Sequence, residues 1–128
     1  MEVIKKLIDN ENIMKITLGT DYDKETEEVT GTVELDIENQ SNFMDIINSI
    51  FDQNIFQLIV NMENISYIDS SGLWALFEGH KKATQKNGNM VLLNPTKDVQ
   101  RVLNITKMSS KMLIFENESE AIKCLKDN

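Results

Sequence analysis

Little in this chain is suited to disulfide, metal or phosphate-loop chemistry. Its one cysteine, Cys124, cannot close an internal disulfide, and beside Ala121, Ile122 and Leu125 it has the setting of a partly buried helix residue. Its one histidine, His80, lies inside an apolar helical pattern with no acid, base or nucleophile patterned around it, so a core or boundary position is expected rather than proton transfer. No Cys/His cluster supplies metal ligands, and scattered acidic residues are the ordinary make-up of a solvated surface. A Gly-rich loop ending in Gly-Lys-Ser/Thr is missing, and so is the Gly-x-Ser-x-Gly elbow, because Ile68 stands where the elbow around Ser70 needs glycine. No metal, no cofactor and no catalytic residue is expected, and the chain reads as a protein that is not an enzyme.

Positive charge is scarce as well. Thirteen Lys and Arg against 21 Asp and Glu leave a net charge of -8 with no dense basic stripe, which disfavours nucleic acid and anionic membrane surfaces as partners. No stretch approaches the ~20 apolar residues of a membrane span, and the opening Met1 to Asp9 holds only a very short apolar run bracketed by acids. A cytoplasmic protein is the expectation. What is present suffices for one core: 41% hydrophobic residues are spread along 128 positions without a repeat, a low-complexity tract or a linker. One domain over residues 1–128 is expected.

Periodicity supplies the order of elements. Asn12 to Leu18 alternate as a strand does; Gly19 to Glu27 are turn residues; Val29, Gly31, Val33 and Leu35 alternate again, so these two segments are expected to form an opening β-hairpin. Phe43, Ile46, Ile47, Ile50 and Phe51 recur at helical spacing after a capping stretch, Asp36 to Asn42. Phe56-Gln57-Leu58-Ile59-Val60 is short, apolar and β-branched, as in a central strand buried on both faces. Leu73, Leu76, Phe77, His80 and Ala83 share one face of a second helix that starts at Asp69-Ser70-Ser71 and stops at Asn87-Gly88. Met90 to Leu93 predicts a strand, Asn94-Pro95-Thr96 the start of a third helix, Met112 to Phe115 a last strand, and Glu116 to Glu120 the start of a fourth helix through Leu125. The order β-β-α-β-α-β-α-β-α defines an α/β fold: a mixed sheet with an N-terminal antiparallel hairpin, right-handed crossovers and helices packed over the sheet.

One polar turn stands out, between a buried strand and an amphipathic helix: Ile65-Ser66-Tyr67-Ile68-Asp69-Ser70-Ser71-Gly72-Leu73. One reading is that Asp69 or a serine caps the helix, adding ~1 kcal/mol. A cap needs only one side chain, however. Two serines beside a carboxylate leave a hydroxyl free at the carboxyl end of a strand, where ligand and partner sites of open α/β sheets gather.

These residues resemble the STAS domains, shared by sulphate transporters and bacterial anti-sigma factor antagonists. The similarity rests on Asp69-Ser70-Ser71-Gly72-Leu73 behind Asn64 to Ile68, then Lys81-Lys82-Ala83, Asn87-Gly88-Asn89, Val91-Leu92-Leu93-Asn94-Pro95 and Val99-Gln100-Arg101-Val102-Leu103. Glu34-Leu35-Asp36 resembles the family's Gly-Glu-Leu-Asp turn, with the glycine, Gly31, further upstream. The resemblance runs from about Asn12 to the end. It implies a partner-switching regulator in which a GHKL-type serine kinase, itself the anti-sigma factor, phosphorylates Ser70. The unphosphorylated domain then binds that kinase and frees the sigma factor, and a PP2C-type phosphatase restores the hydroxyl. The alternative is a STAS scaffold or structural subunit without a phospho-switch, in a stressosome-like or lipid-transport assembly. The resemblance places Asp36 and Asp69 on neighbouring loops beside Ser70, so Asp36, Asp69, Ser70, Ser71, Gly72 and Trp74 form the expected partner-binding set. Trp74 stands where the family usually has a small residue, as an exposed interface anchor or as core filling. The acidic stretch Asp21 to Glu28 is the second departure bearing on partner choice.

Overall fold

Apolar residues alternate between two layers along the central strands, and that alternation fixes where the helices pack. The computed structural model describes residues 1–8 and 12–127. In chain order its elements are β1 (Glu2–Ile8), β2 (Ile13–Gly19), β3 (Asp21–Asp23), β4 (Glu28–Thr30), β5 (Val33–Leu35), α1 (Gln40–Phe51), β6 (Gln57–Asn61), β7 (Ile65–Ile68), α2 (Ser70–Gln85), β8 (Asn89–Leu93), α3 (Lys97–Ile105), β9 (Ile114–Phe115) and α4 (Glu118–Lys126). The main sheet has the order β1-β2-β6-β8-β9, antiparallel at β1/β2 and parallel elsewhere. Leu58, Val60, Met90 and Leu92 face one layer, where they meet Phe43 and Ile47 of α1, Leu76 of α2 and Leu103 of α3. Ile59, Val91 and Leu93 point the other way onto Ala121 and Leu125 of α4. Burial on both faces is why β6 and β8 read as unbroken apolar runs.

The antiparallel hairpin is present at the N-terminus, but its strands are not the two that alternation suggested. β1 pairs with β2 from Glu2↔Gly19 to Ile8↔Ile13, and the 29–35 segment is split into two short strands with other partners. The split has a local cause: Gly31 has φ +84, outside strand geometry, and a Cβ there would meet the Thr20 hydroxyl oxygen at 2.0 Å. β4 folds back on β3, so the acidic stretch from Asp21 to Glu28 is itself a small hairpin. β1 escapes the alternation test because Lys5 and Lys6 sit at its middle, a composition that suits an edge strand exposed to water. The last strand is also shorter than expected, with Met112 buried ahead of it and Leu113 exposed.

β5 and β7 form a separate two-stranded parallel ribbon, with Val33↔Ile65 and Leu35↔Ile68 among its pairs. Leu35, Ile65 and Ile68 anchor the ribbon in the same core layer as α1 and α2. This ribbon carries the polar turn. Among the described residues, no helix is long and apolar enough to cross a membrane.

Candidate functional site: two loops tied at one carboxylate

Because β5 and β7 run parallel and end opposite one another at Leu35 and Ile68, the next residues, Asp36 and Asp69, leave the ribbon at the same end. The Asp69 N–H donates to the Leu35 carbonyl at 3.2 Å. The Asp69 carboxylate then serves two elements: Oδ1 accepts from the Gly72 N–H at 3.0 Å, capping α2, and Oδ2 accepts from the Ile37 N–H at 3.2 Å, holding the loop after β5. That loop is tied internally as well. Asp36 Oδ1 accepts from the N–H groups of Glu38 (3.0 Å) and Asn39 (3.3 Å), while Asn39 Oδ1 accepts from the Asp36 N–H (3.0 Å) and the Asn39 amide donates to the Glu34 carbonyl. A bond from a backbone N–H to an ionised carboxylate is stronger than one between neutral groups, and four such bonds, each 3.0–3.3 Å long, tie these two loops.

The first turn of α2 is pressed against this loop. A Cβ on Gly72 would lie 2.2 Å from the Leu35 carbonyl oxygen and 2.8 Å from Ile68 Cγ1, so only glycine admits the approach. Gly72 is buried, Ser71 half-buried and Ser70 exposed. Among the described residues, neither serine hydroxyl takes part in a hydrogen bond. Gln40, Ser70, Ser71 and Trp74 line a shallow cavity of about 280 Å³. Trp74 is 53% exposed, which sets aside its core-filling reading. The buried stripe of α2 is Gly72, Ala75, Leu76, Gly79 and Ala83, and Trp74 falls off it.

Asp36, Asp69, Ser70, Ser71, Gly72 and Trp74 are thus brought to one end of the molecule. Two neighbours went unnoticed in the sequence. Gln40 joins the cavity because α1 begins right after the tied loop, and Ile37 is exposed at the loop's apex. Its signal was a lone isoleucine inside a run of capping residue types. His80 is half-buried on α2, with Nδ1 3.3 Å from the Met90 carbonyl oxygen, and Cys124 is half-buried on α4. Among the described residues, no group of three or more His, Cys, Asp or Glu side chains could hold a metal ion.

The STAS domain family model matches residues 28–121, across this ribbon and the capped helix it feeds, and the chain belongs to that family. The anti-sigma-B factor antagonist of Staphylococcus epidermidis is 31% identical over 108 residues, which cover 84% of this chain and 94% of that protein. The anti-sigma F factor antagonist of Paenibacillus polymyxa is 29% identical over 65 residues, covering 51% of this chain and 56% of that protein. Among solved structures, the anti-sigma factor antagonist SpoIIAA of Bacillus has the same fold in two forms. The unphosphorylated form superposes with a TM-score of 0.73 at 22% identity over 99% of this chain and 98% of that one. The phosphorylated form superposes with a TM-score of 0.64 at 22% identity over 95% and 97%.

Proposed function

We propose that this chain is a single-domain, non-enzymatic cytoplasmic regulator, an anti-sigma factor antagonist whose binding is switched by phosphorylation of Ser70. The observation that carries the reading is the division of labour at the start of α2: Asp69 does the capping, and the Ser70 hydroxyl is exposed with no hydrogen bond among the described residues. A serine needed for capping would not be free to react. The names of the relatives support the same reading.

The chemistry of the switch follows from charge. A phosphate brings about -1.5 to -2 charges and three acceptor oxygens to Ser70. At the first position of a 16-residue helix those charges meet the positive end of the helix dipole, so the domain itself tolerates them. A protein surface docked closely over Ser70 must instead exclude water from the phosphate, and the cost falls on the complex. The partner in this reading is an anti-sigma factor that is also a GHKL-type serine kinase, with a PP2C-type phosphatase as the reverse arm. Asp36, Asp69 and Ser71 frame the acceptor, Trp74 supplies apolar contact, and Gly72 contributes by letting the first turn of α2 sit against Leu35.

Incubation of the purified chain with its cognate kinase and ATP, followed by phosphopeptide mapping, tests the proposal. Phosphate is expected on Ser70 and not on Ser71. An unmodified Ser70 would overturn the switch, and a large stable assembly on light scattering alongside it would favour a scaffold role.

A further inference from the structure

Ile37 is 69% exposed, more so than Trp74, yet it does not sit on a loose loop. Its own N–H is bonded to Asp69 Oδ2, and the residues on either side are fixed by the Asp36 and Asn39 side chains. An apolar side chain carried on a turn whose N–H groups from Asp36 to Asn39 are all bonded is presented, not frayed. It is presented beside the acceptor: Ile37 is bonded to the residue preceding Ser70, and Trp74 stands one helical turn beyond Ser70 and lines the same cavity. Two exposed apolar residues therefore adjoin Ser70, Ile37 through its bond to Asp69 and Trp74 along α2.

The chain segments that carry them are acidic, and the nearest cations come from elsewhere: Met1 lines a cavity with Asp36 and Glu38, and Lys111 Nζ lies 5.3 Å over the Phe77 ring. No Lys or Arg occurs between Lys24 and Lys81, the stretch that builds both loops, the ribbon, α1 and the exposed start of α2, whereas acidic residues recur throughout it. Asp36 is partly exposed and Glu38 fully so at the edge of the tied loop. A surface with two apolar projections and an acidic rim is complementary to apolar pockets with a basic rim.

We propose that Ile37 and Trp74 are paired anchors of the docking surface around Ser70, and that the protein they enter has apolar pockets bordered by Lys or Arg side chains opposite Asp36 and Glu38. The inference rests on the partner-switch reading and adds what that reading leaves open: which side chains hold the partner, and what the partner's surface is made of. It also accounts for the effect of phosphate. The cations lie at the rim, so a dianion on Ser70 is closed under the partner away from those cations, and only the α2 N-terminus offsets the hydration it loses.

Titration calorimetry of the unphosphorylated chain against its cognate anti-sigma factor tests this, with circular dichroism melting of every variant as the control on folding. Ile37→Ala and Trp74→Ala are each expected to weaken binding by about 30-fold, the loss typical of a central anchor, with unchanged melting. Ile37→Ala keeps the backbone N–H that Asp69 holds, so the readout is the side chain alone. Ile37→Leu should bind within about threefold of wild type. Glu38→Lys should weaken binding on the order of tenfold in low salt, with the difference shrinking at high salt. If wild type binds and Ile37→Ala binds within about twofold of it, the inference fails while the switch reading stands. If Ile37→Leu loses as much as Ile37→Ala, or Glu38→Lys binds more tightly, the inference fails as well. If wild type does not bind at all, both fall.

Discussion

The four α-helices among the described residues start in two different ways. At α3 and α4 the capping side chain chiefly serves the helix it precedes: Thr96 Oγ1 accepts from the Val99 N–H at 3.3 Å, with only a long 3.5 Å bond donated to the Ile65 carbonyl, and Asn117 Oδ1 accepts from the Glu120 N–H at 3.2 Å. At α1 and α2 the capping residues reach into neighbouring chain. Asn39 makes no capping bond to α1, and its side chain is bonded instead to the loop behind it, at the Asp36 N–H and the Glu34 carbonyl. Asp69 divides its carboxylate between α2 and the Ile37 N–H, 32 residues away. The first arrangement stabilises a helix end. The second builds a rigid surface from two loops and leaves the serine beside it unbonded.

Substitutions that separate these two arrangements should differ in size. The largest effect is expected at Gly72, where the close approach has no equivalent at α3 or α4. Gly72→Ala forces a methyl group against the Leu35 carbonyl, a backbone atom that cannot swing aside, and should cost about 3 kcal/mol in chemical denaturation. Next comes Asp69→Ala, which removes a cap and a loop tie together and should cost about 2 kcal/mol, against about 1 kcal/mol for Asn117→Ala, which removes a cap alone. Equal losses at Asp69 and Asn117 would mean that the bond to Ile37 contributes nothing and that the contrast between the two pairs of helix starts is only geometric. Smallest of all is Ser70→Ala, which should change stability by no more than about 0.5 kcal/mol, because the hydroxyl is exposed and unbonded among the described residues.

The same contrast explains which parts could be read from the sequence. β6, β8 and the starts of α2 and α3 depend on neighbours in the chain: a β-branched apolar run, Asp69 before an amphipathic stretch, Pro95-Thr96 ahead of Val99. All of these are legible. The hairpin partner was not, since Lys5 and Lys6 hide β1 from an apolar pattern, and the alternation across Val29 to Leu35 gives no hint that Gly31 breaks the strand. Nor was β7, whose exposed Ser66 and Tyr67 interrupt the apolar pattern just after the short turn at Glu63 and Asn64. The site depends on the parallel pairing of Leu35 with Ile68, a contact between distant segments that no local signal encodes. The resemblance to the STAS family placed Asp36 near Asp69 before any geometry did, but the bond that makes them one unit runs through Ile37, which no motif singled out. Trp74 was undecided for a related reason. Its identity favours burial, and only the position of the buried stripe on α2 turns it to solvent.

The most direct test of the central claim, that capping by Asp69 frees Ser70 to act as a switch, is titration calorimetry of wild type, Ser70→Ala and Ser70→Asp against the cognate anti-sigma factor. All three should fold, since the charge of Ser70→Asp lies at a helix N-terminus, where ~0.3–1 kcal/mol of dipole stabilisation offsets local strain. Ser70→Ala should bind as tightly as unphosphorylated wild type, and Ser70→Asp about a hundredfold more weakly, because a charge closed into an interface without a partner loses its hydration. Three equal affinities from three folded proteins would contradict the account and leave Ser70 as one more exposed residue at a helix start.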